Sequence, residues 1–135
     1  MKKDPVKKDS KKKNALSILF VCEHFHPRVA GGEVWSWELC KTLVKKGLRV
    51  TVLTSRPENL LGEETKAGVR ILRRGKTGDG LLARWSWRQT FAAELRTLLK
   101  KESFDIVHSM AYATNIPATR LAQKQNIPCI TSVHS

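Results

Sequence analysis

The fold is decided by the stretch ILFVCEHFHPRVAGGEVWSWELCKTLVKKGLRVTVL, residues 18–53. An unbroken apolar run at 18–21 is followed by the loop PRVAGG at 27–32. A segment at 33–46 comes next, and its apolar residues are spread widely around a helix. A glycine ends that segment, and a second apolar run follows at 50–53. This order predicts a strand, a glycine loop, a helix and a second strand, which together make one βαβ unit.

The paired glycines Gly31 and Gly32 stand where the chain leaves the first strand and enters the helix. Backbone without a Cβ atom lets a ligand come close. The first N–H groups of a helix have no partner within it, and the helix dipole makes that end positive, so a phosphate group is favoured there. Fewer than three glycines make a weak fingerprint, however, and the pair also suits a plain tight turn. The residues alone leave both interpretations open.

The rest of the chain continues the alternation of strands and helices. The apolar patterns predict strands at 14–22, 49–54, 69–73, 105–109 and 129–133, with the third more exposed than the others, and helices at 33–46, 87–100 and 115–125. This order predicts an α/β fold, a Rossmann-like parallel sheet with helices on both faces. Ligands of such sheets bind outside the carboxyl ends of the strands. The polar stretches 23–32, 110–114 and 134–135 fall on that edge.

The start of the second helix is set by a conflict in the pattern. A helix through all of 81–101 would place Arg84 and Arg88 in the middle of its apolar arc. The run SWRQ, which begins at Ser86, has the spacing of a capping box with the serine as N-cap. We therefore expect the helix to begin at Trp87.

Charge is the strongest compositional signal. The 135 residues carry a formal net charge of +13, and residues 1–14, with seven Lys and two Asp, contribute +5 of it. That tail has almost no apolar residues and is expected to be disordered. Residues 15–135 are long enough for one domain with a sizeable core. Because no signal-peptide core and no apolar run of about 18 residues is present, we expect a soluble, cytoplasmic protein.

The residues that could bind a metal do not form a recognisable site. Cys22, Cys40 and Cys129 are far apart, odd in number and without CxxC spacing, which disfavours a disulfide or zinc site and predicts small buried thiols. His24 and His26 have a spacing of two residues that could suit a metal. No third ligand is near them, so solvated loop histidines are favoured.

Several motifs, taken in order, resemble the amino-terminal half of the family 4 glycosyltransferases of GT-B architecture. They are the apolar strand at 18–21, HP at 26–27, GG at 31–32, KGLRVTVLT at 46–54, FDIVH at 104–108 and IPCITSVH at 127–134. The resemblance covers residues 16–135. One departure is Leu48, where the family commonly has a histidine.

The resemblance implies retaining transfer of a sugar from a nucleotide-sugar donor to an acceptor hydroxyl, without a cofactor or an essential metal. In such enzymes the amino-terminal domain binds mainly the acceptor, which is often lipid-linked, and a second domain binds most of the donor. That second domain has no counterpart in the 135 residues. We therefore expect part of a larger enzyme, with the missing half in cis or in trans, and little or no activity from this chain alone.

The family motifs also imply roles for single residues. Gly31 and Gly32 would approach the donor diphosphate, and His134 would lie near the transferred sugar as a catalytic residue. A histidine bonded to a neighbouring carbonyl is the alternative for His134. His108 ends a strand on the same edge and is open between support of the site and a place in the core. Glu33 suits the positive helix start, and contact with the acceptor or the missing half is its functional alternative.

Arg84, Trp85, Trp87 and Arg88 form a second cluster. Arginines interleaved with tryptophans suit a membrane interface, where the rings lie at headgroup depth and the cations meet anionic lipid. The lysine-rich tail would add attraction to any polyanion. The cluster predicts a peripheral contact with an anionic membrane surface. The alternative is that the tryptophans pack under the sheet and the arginines are solvated.

Three other functions are weighed against glycosyl transfer. The charge suggests a nucleic-acid or polyanion binder, but no known recognition motif is present and much of the charge lies in the tail. A dinucleotide-binding enzyme is disfavoured because the third glycine is missing. In addition, Ser55 and Arg56 stand where a ribose-binding acid would end the second strand. A non-catalytic, orphaned half-domain fits the same residues.

Overall fold

The computed structural model describes residues 15–28, 30–76, 80–110 and 112–133. Its strands are β1 (Ser17–Cys22), β2 (Arg49–Thr54), β3 (Glu63–Lys66), β4 (Val69–Arg73), β5 (Ile106–Met110) and β6 (Cys129–Ser132), and its helices are α1 (Gly31–Lys45), α2 (Leu81–Lys101) and α3 (Tyr112–Lys124). The tail at 1–14 lies outside the described residues, so its disorder stays a prediction.

β1 lies inside a six-stranded sheet whose order is β3-β4-β2-β1-β5-β6. It pairs in parallel with β2 and β5, which places Phe20 beside Val52 on one side and beside His108 on the other. β4 and β6 extend the sheet in parallel, and β3 pairs antiparallel with β4 at one edge. The α/β, Rossmann-like fold predicted from the βαβ unit is confirmed.

Both faces of β1 are covered, because successive side chains of a strand point to opposite faces. Leu19 and Val21 pack into a cluster with residues of α2 and α3. Phe20 and Cys22 pack into a second cluster with residues of α1, among them the buried Cys40. The unbroken apolar run therefore fills two cores at once, which is why it lacks the alternation of a half-exposed strand.

β4 is more buried than its sequence predicted. Val69, Ile71 and Leu72 are at most 3% exposed, although the strand at 69–73 was expected to be the exposed one. The reason is that helices cover both faces of the strand, since Val69 and Ile71 pack into the cluster with α1 and Leu72 packs into the cluster with α2 and α3. The sequence pattern also did not predict β3, because the residues EETK show no apolar alternation. β3 pairs along the outer side of β4 and makes it an interior strand of the sheet.

α2 begins at Leu81 and not at Trp87, so the predicted capping box is wrong. The first turn of the helix projects beyond the core, since Leu81 is 88% exposed and Leu82 is 83% exposed. An arginine in this part of the helix does not need to fit an apolar arc. The guanidinium of Arg84 instead lies 3.4 Å from the carboxylate of Glu23. The conflict in the pattern arose because the helix is longer than the core on which it packs.

Candidate functional site

The amino-terminal end of α1 is open toward the carboxyl edge of the sheet. Ala30 is the N-cap residue, with an extended backbone and no side-chain cap hydrogen bond. The N–H of Val34 donates to the carbonyl of Ala30 at 2.9 Å and closes the first turn. The N–H groups before it have no acceptor within the helix. This end of α1 can therefore donate hydrogen bonds to an anion.

Neither glycine at this helix start is required by the fold of the described residues. The backbones of Gly31 and Gly32 both lie outside the left-handed region. A Cβ atom at Gly31 would meet nothing within 4 Å, and one at Gly32 would only touch the methyl carbon of Met110 at 3.8 Å. The tight-turn interpretation thus loses its support, whereas space for an approaching ligand is left open. The role of the pair in donor binding stays a prediction.

The ends of several elements converge on this helix start. Met110, the last residue of β5, lies against Gly32. The hydroxyl of Ser36 donates to the carbonyl of Gly32 at 2.8 Å. On β5, the hydroxyl of Ser109 lies 2.8 Å from that of Thr114 in the first turns of α3. These contacts hold the starts of α1 and α3 at the end of β5.

His108 is half-buried on β5 and is contacted from three elements. Its Nε2 lies 2.8 Å from the hydroxyl of Ser132 on β6. Its ring meets those of Phe20 on β1 and Trp35 on α1, with centroid separations of 4.9 and 6.4 Å. A histidine held in this way can position β6 and α1 relative to each other. This arrangement suits support of a site better than direct chemistry.

Glu33 is engaged by the loop that precedes its helix. Its side chain is 13% exposed, and its carboxylate lies 3.4 Å from Nε of Arg28. A guanidinium nitrogen of Arg28 is also 3.2 Å from Nδ1 of His24. The arginine offsets the negative charge of Glu33, so the carboxylate does not cancel the attraction of the helix start for an anion. Contact of Glu33 with an acceptor or a second domain stays a prediction.

The loop after β1 is tied to the end of β2 through one carbonyl. The carbonyl of Glu23 accepts hydrogen bonds from the hydroxyls of Thr54 and Ser55, the former at 3.1 Å. It also accepts from the N–H of Ser55 at 3.2 Å. Burial lowers the pKa of His24 and of His26, so both imidazoles are mainly neutral near pH 7.

The candidate metal ligands remain isolated in the structure. Within the described ranges, no three His, Cys, Asp or Glu side chains are grouped closely enough to hold a metal ion. Metal-free and cofactor-free transfer stays a prediction. Burial raises the pKa of the Cys22 thiol well above its usual range and that of Cys40 to about 12. Neither thiol is therefore an activated nucleophile.

The cluster of arginines and tryptophans does not form one surface. Trp87 is 1% exposed and stacks on Phe91 with a centroid separation of 5.2 Å, so its predicted membrane contact is wrong. Trp85 is 60% exposed. The two tryptophans differ because residues two positions apart on a helix point in different directions. Arg88 is exposed, and Arg84 is also exposed although it pairs with Glu23.

A cleft beside the site was not predicted from the sequence. It has a volume of about 460 Å³, lies where β1 and β2 end, and is lined in part by His24, His26, Arg28, Arg56 and Arg73. Arg56 follows β2 and Arg73 ends β4, so both belong to strand ends on the ligand edge. The position of each arginine at a strand end could have been read from the sequence. That both arginines line the same cleft depends on the pairing of β4 with β2.

His134, the predicted catalytic histidine, lies outside the described residues, just beyond the end of β6. No helix of the described chain is long and apolar enough to cross a membrane.

The fold recurs in solved structures of glycosyltransferases. Sucrose-phosphate synthase from Thermosynechococcus elongatus matches with a TM-score of 0.76 at 17% identity, over 89% of this chain and 33% of that one. The catalytic domain of starch synthase IV from Arabidopsis thaliana matches with a TM-score of 0.73 at 16% identity, over 90% of this chain and 34% of that one. The present chain thus spans about a third of either protein.

The same fold is also found outside glycosyltransferases. The C-terminal domain of a hydrogenase from Pyrococcus furiosus matches with a TM-score of 0.62 at 19% identity, over 87% of this chain and 90% of that domain. At such identities structural likeness shows the fold and not the function. Membership of a family must therefore come from the sequence.

The sequence supplies that evidence. Among curated proteins, none is similar enough to match. The model of the family described as Glycosyltransferase Family 4 matches residues 29–135. This range includes the glycine pair, α1 and every strand from β2 to β6. Because the match spans most of the chain and includes the helix start at the ligand edge, the chain belongs to glycosyltransferase family 4.

Proposed function

We propose that this chain is the acceptor-side half of a glycosyltransferase that moves a sugar from a nucleotide-sugar donor to an acceptor hydroxyl, with retention at the anomeric carbon. The observation that carries the proposal is the open start of α1, where Gly31 and Gly32 leave room at the carboxyl edge of the sheet. Membership of the family supports the class of reaction.

The chemistry follows from the charge that develops during transfer. When the bond between the sugar and the diphosphate breaks, the leaving group gains negative charge. The first N–H groups of α1 would stabilise that charge, and the absence of Cβ atoms at Gly31 and Gly32 lets the phosphates approach them. His134 would hydrogen-bond to the transferred sugar, and His108 would support it through Ser132 at the end of β6.

The decisive experiment uses the native polypeptide that carries these residues, purified from its source cells with an antibody against the folded domain. It is incubated with a panel of nucleotide sugars and glycan acceptors, and the release of nucleoside diphosphate and the anomeric configuration of the product are measured. We expect release that depends on the acceptor, and a product with retained configuration. The 135-residue chain by itself should give no transfer above a control without enzyme.

Two outcomes would contradict the proposal. An inverted product would refute the retaining mechanism. Absence of transfer with every donor would favour a non-catalytic half-domain. Intact mass measured on the same preparation would show whether a second domain is present in the polypeptide.

A second function, contact with an anionic membrane, is favoured by a specific surface. Leu81, Leu82 and Trp85 are 60–88% exposed at the start of α2. A groove of about 750 Å³ between α2 and α3 is lined in part by Arg88, Arg96, Arg120 and Lys124. None of these four cations forms an ion pair with another described residue. Apolar side chains beside unpaired cations suit the headgroup region of anionic lipid.

Flotation with vesicles tests this contact on the 135-residue chain and on a chain lacking residues 1–14. The double variant Leu81→Ser/Trp85→Ser should lose retention on anionic vesicles, whereas Leu61→Ser, which alters an exposed leucine elsewhere, should not. Retention that disappears when the tail is removed would assign the attraction to the tail and reject the α2 surface.

A further inference from the structure

The cleft at the ends of β1 and β2 has an unusual set of charges. The described residues that line it include the arginines Arg28, Arg56 and Arg73 and the histidines His24 and His26, but no Asp or Glu. Its volume of about 460 Å³ is in the range of small-molecule sites. The cleft is therefore large enough for a sugar and is bordered by donors that suit an anion.

Arg73 gives the cleft a fixed positive group. Its side chain is 1% exposed, which would be costly for an unpaired charge. One guanidinium nitrogen donates to the carboxylate of Glu64 at 2.7 Å and to the carbonyl of Leu61 at 3.1 Å. These two bonds hold one side of the guanidinium toward β3. Arg73 thus contributes rigidity to the wall, while the ion pair offsets much of its charge.

Arg56 supplies a positive charge that, unlike the charge of Arg73, is not offset by a carboxylate among the described residues. Arg56 is exposed, and its guanidinium makes no ion pair with any other described residue. Its position is nevertheless defined, because its Nε donates to the carbonyl of Leu60 at 3.0 Å. Its backbone N–H also donates to the carbonyl of Gly75 at 2.7 Å. Arg56 therefore lines the cleft with a guanidinium that has no carboxylate partner among the described residues.

On the histidine side of the cleft, most of the charges near His26 are positive, whereas His24 lies 3.6 Å from the carboxylate of Glu23. The His26 ring stacks on Trp37 with a centroid separation of 4.3 Å and a tilt of 10°. After burial, the charges of Lys66, Lys41 and Arg73 are further causes that lower the pKa of His26. Burial itself disfavours either charge, but these neighbouring cations, which disfavour a proton on His26, also attract an anion.

This cleft is adjacent to the glycine end of α1 but does not include it, because Arg28 lines the cleft and pairs with Glu33 whereas neither glycine is a lining residue. Gly32 faces Met110 at the end of β5, whereas the cleft is bounded by the ends of β1 and β2 and the residues that follow β2. One ligand edge thus offers two places for anions, one built from backbone N–H groups and one from side-chain cations. A donor diphosphate at the first leaves the second for a different molecule.

We infer that this cleft binds a phosphate monoester, or a chemically similar anionic group, carried by the acceptor sugar. The inference rests on the proposed function, since it names the class of acceptor that the same half-domain would hold. Arg56 binds the anion, Arg73 orients it from the wall, and the sugar occupies the remaining volume of the cleft.

Calorimetry on the 135-residue chain tests the inference without any need for activity. The probes are glucose 6-phosphate, glucose and inorganic phosphate. We expect the phosphorylated sugar to bind more tightly than either of the others. Arg56→Gln should weaken its binding about tenfold, because one charge-assisted contact is lost. Arg49→Gln is the matched control: it removes another exposed arginine, whose guanidinium has one long contact, at 3.5 Å, to a backbone carbonyl at the opposite edge of the sheet.

Three outcomes would overturn the inference. If glucose binds as tightly as its phosphate, the cleft does not select an anion. If inorganic phosphate binds as tightly as the sugar phosphate, the site does not hold an acceptor sugar. If Arg56→Gln and Arg49→Gln weaken binding equally, the attraction is one of net charge alone. None of these would refute sugar transfer, which the assay on the native polypeptide measures independently.

Discussion

Two helices of this molecule begin at the carboxyl edge of the same sheet, yet only one of them begins at the candidate site. α1 and α2 both start beside a glycine, and neither has a side-chain N-cap hydrogen bond. The start of α1 lies against the end of β5. The start of α2 projects beyond the core, with Leu81 88% exposed. An unpaired helix start is common to both, so what distinguishes α1 is the set of strand ends and loops around it.

The largest effect is expected inside α2, where the core begins. Trp87→Ala should lower the free energy of unfolding by about 3–5 kcal/mol, because a buried indole is replaced by a cavity. Trp85→Ala, two residues earlier, should change it by less than about 0.5 kcal/mol, since that ring is exposed. Urea denaturation measures both. Equal losses of stability would mean that the start of α2 is packed against the core as closely as the part that contains Trp87.

A more conservative substitution of Trp87 tests how the indole packs in the core. The indole N–H of Trp87 is buried and has no hydrogen-bond partner within the described chain. Trp87→Phe should therefore cost less than Trp87→Ala by well over 1 kcal/mol, because it keeps most of the apolar contact and removes an unsatisfied donor. A cost equal to that of alanine would indicate that this N–H has a hydrogen-bond partner outside the described residues.

The next prediction concerns activity, which should depend on the start of α1 and not on the start of α2. Gly31→Val adds a branched side chain where ligand space is expected, and should lower kcat/KM of the native polypeptide about 10²-fold by keeping the diphosphate from the N–H groups. Its melting temperature should barely change, because a Cβ atom there meets nothing within 4 Å. Gly80→Val is the matched control at the start of α2, where a Cβ atom is also unhindered. Comparable losses of activity in both variants would remove the distinction between the helices.

A smaller effect is expected from the strand ends around α1. Ser132→Ala removes the hydroxyl that lies 2.8 Å from Nε2 of His108 and should cost about 1 kcal/mol of stability. Ser86→Ala, which removes an exposed hydroxyl from α2, should cost nothing measurable. The ring protons of His108 should shift in NMR spectra of the first variant only. Unchanged spectra would show that Ser132 does not orient this histidine.

The smallest effect is a pH dependence confined to the α1 side. The pKa values of His24 and His26 are lowered in the folded chain by burial. Because the unfolded histidines take up protons first, this part of the stability is present above the ordinary value of 6.5 and is lost as pH falls below it. The melting temperature should therefore drop between about pH 7 and 5.5, before most carboxylates titrate.

The charges that face these histidines set the size of the effect. The groups around His24 are Glu23, Arg28, Glu33 and Arg84, and those around His26 are Lys66, Lys41, Arg73 and Glu64. The double variant His24→Gln/His26→Gln should flatten the pH dependence. Glucose 6-phosphate should protect the unsubstituted chain more at the lower pH, because an anion in the cleft favours protonated imidazoles. A pH dependence that persists in the double variant would assign it to other groups.

Features that depend on contacts between residues close in sequence could be predicted. Features that depend on contacts between residues far apart in sequence could not. The β1–α1–β2 unit was read correctly because apolar runs, paired glycines and a terminal glycine act within about thirty residues of each other. β3 was missed because EETK has no apolar face of its own. The start of α2 was misplaced because the sequence does not show where the core stops. The cleft residue Arg73 was missed because it pairs with Glu64 across two strands.

The linear sequence was enough to establish the layered α/β fold, membership of glycosyltransferase family 4 and the position of Gly31 and Gly32 at a helix start. These features depend on local periodicity and on motifs that stay intact in a linear string. The tertiary structure alone decided that Trp87 is buried while Trp85 is exposed, and that Arg56 meets Arg73 and two histidines around one cleft. Such juxtapositions depend on strand pairing and on the reach of the core, because residues far apart in sequence become neighbours only when the sheet is assembled.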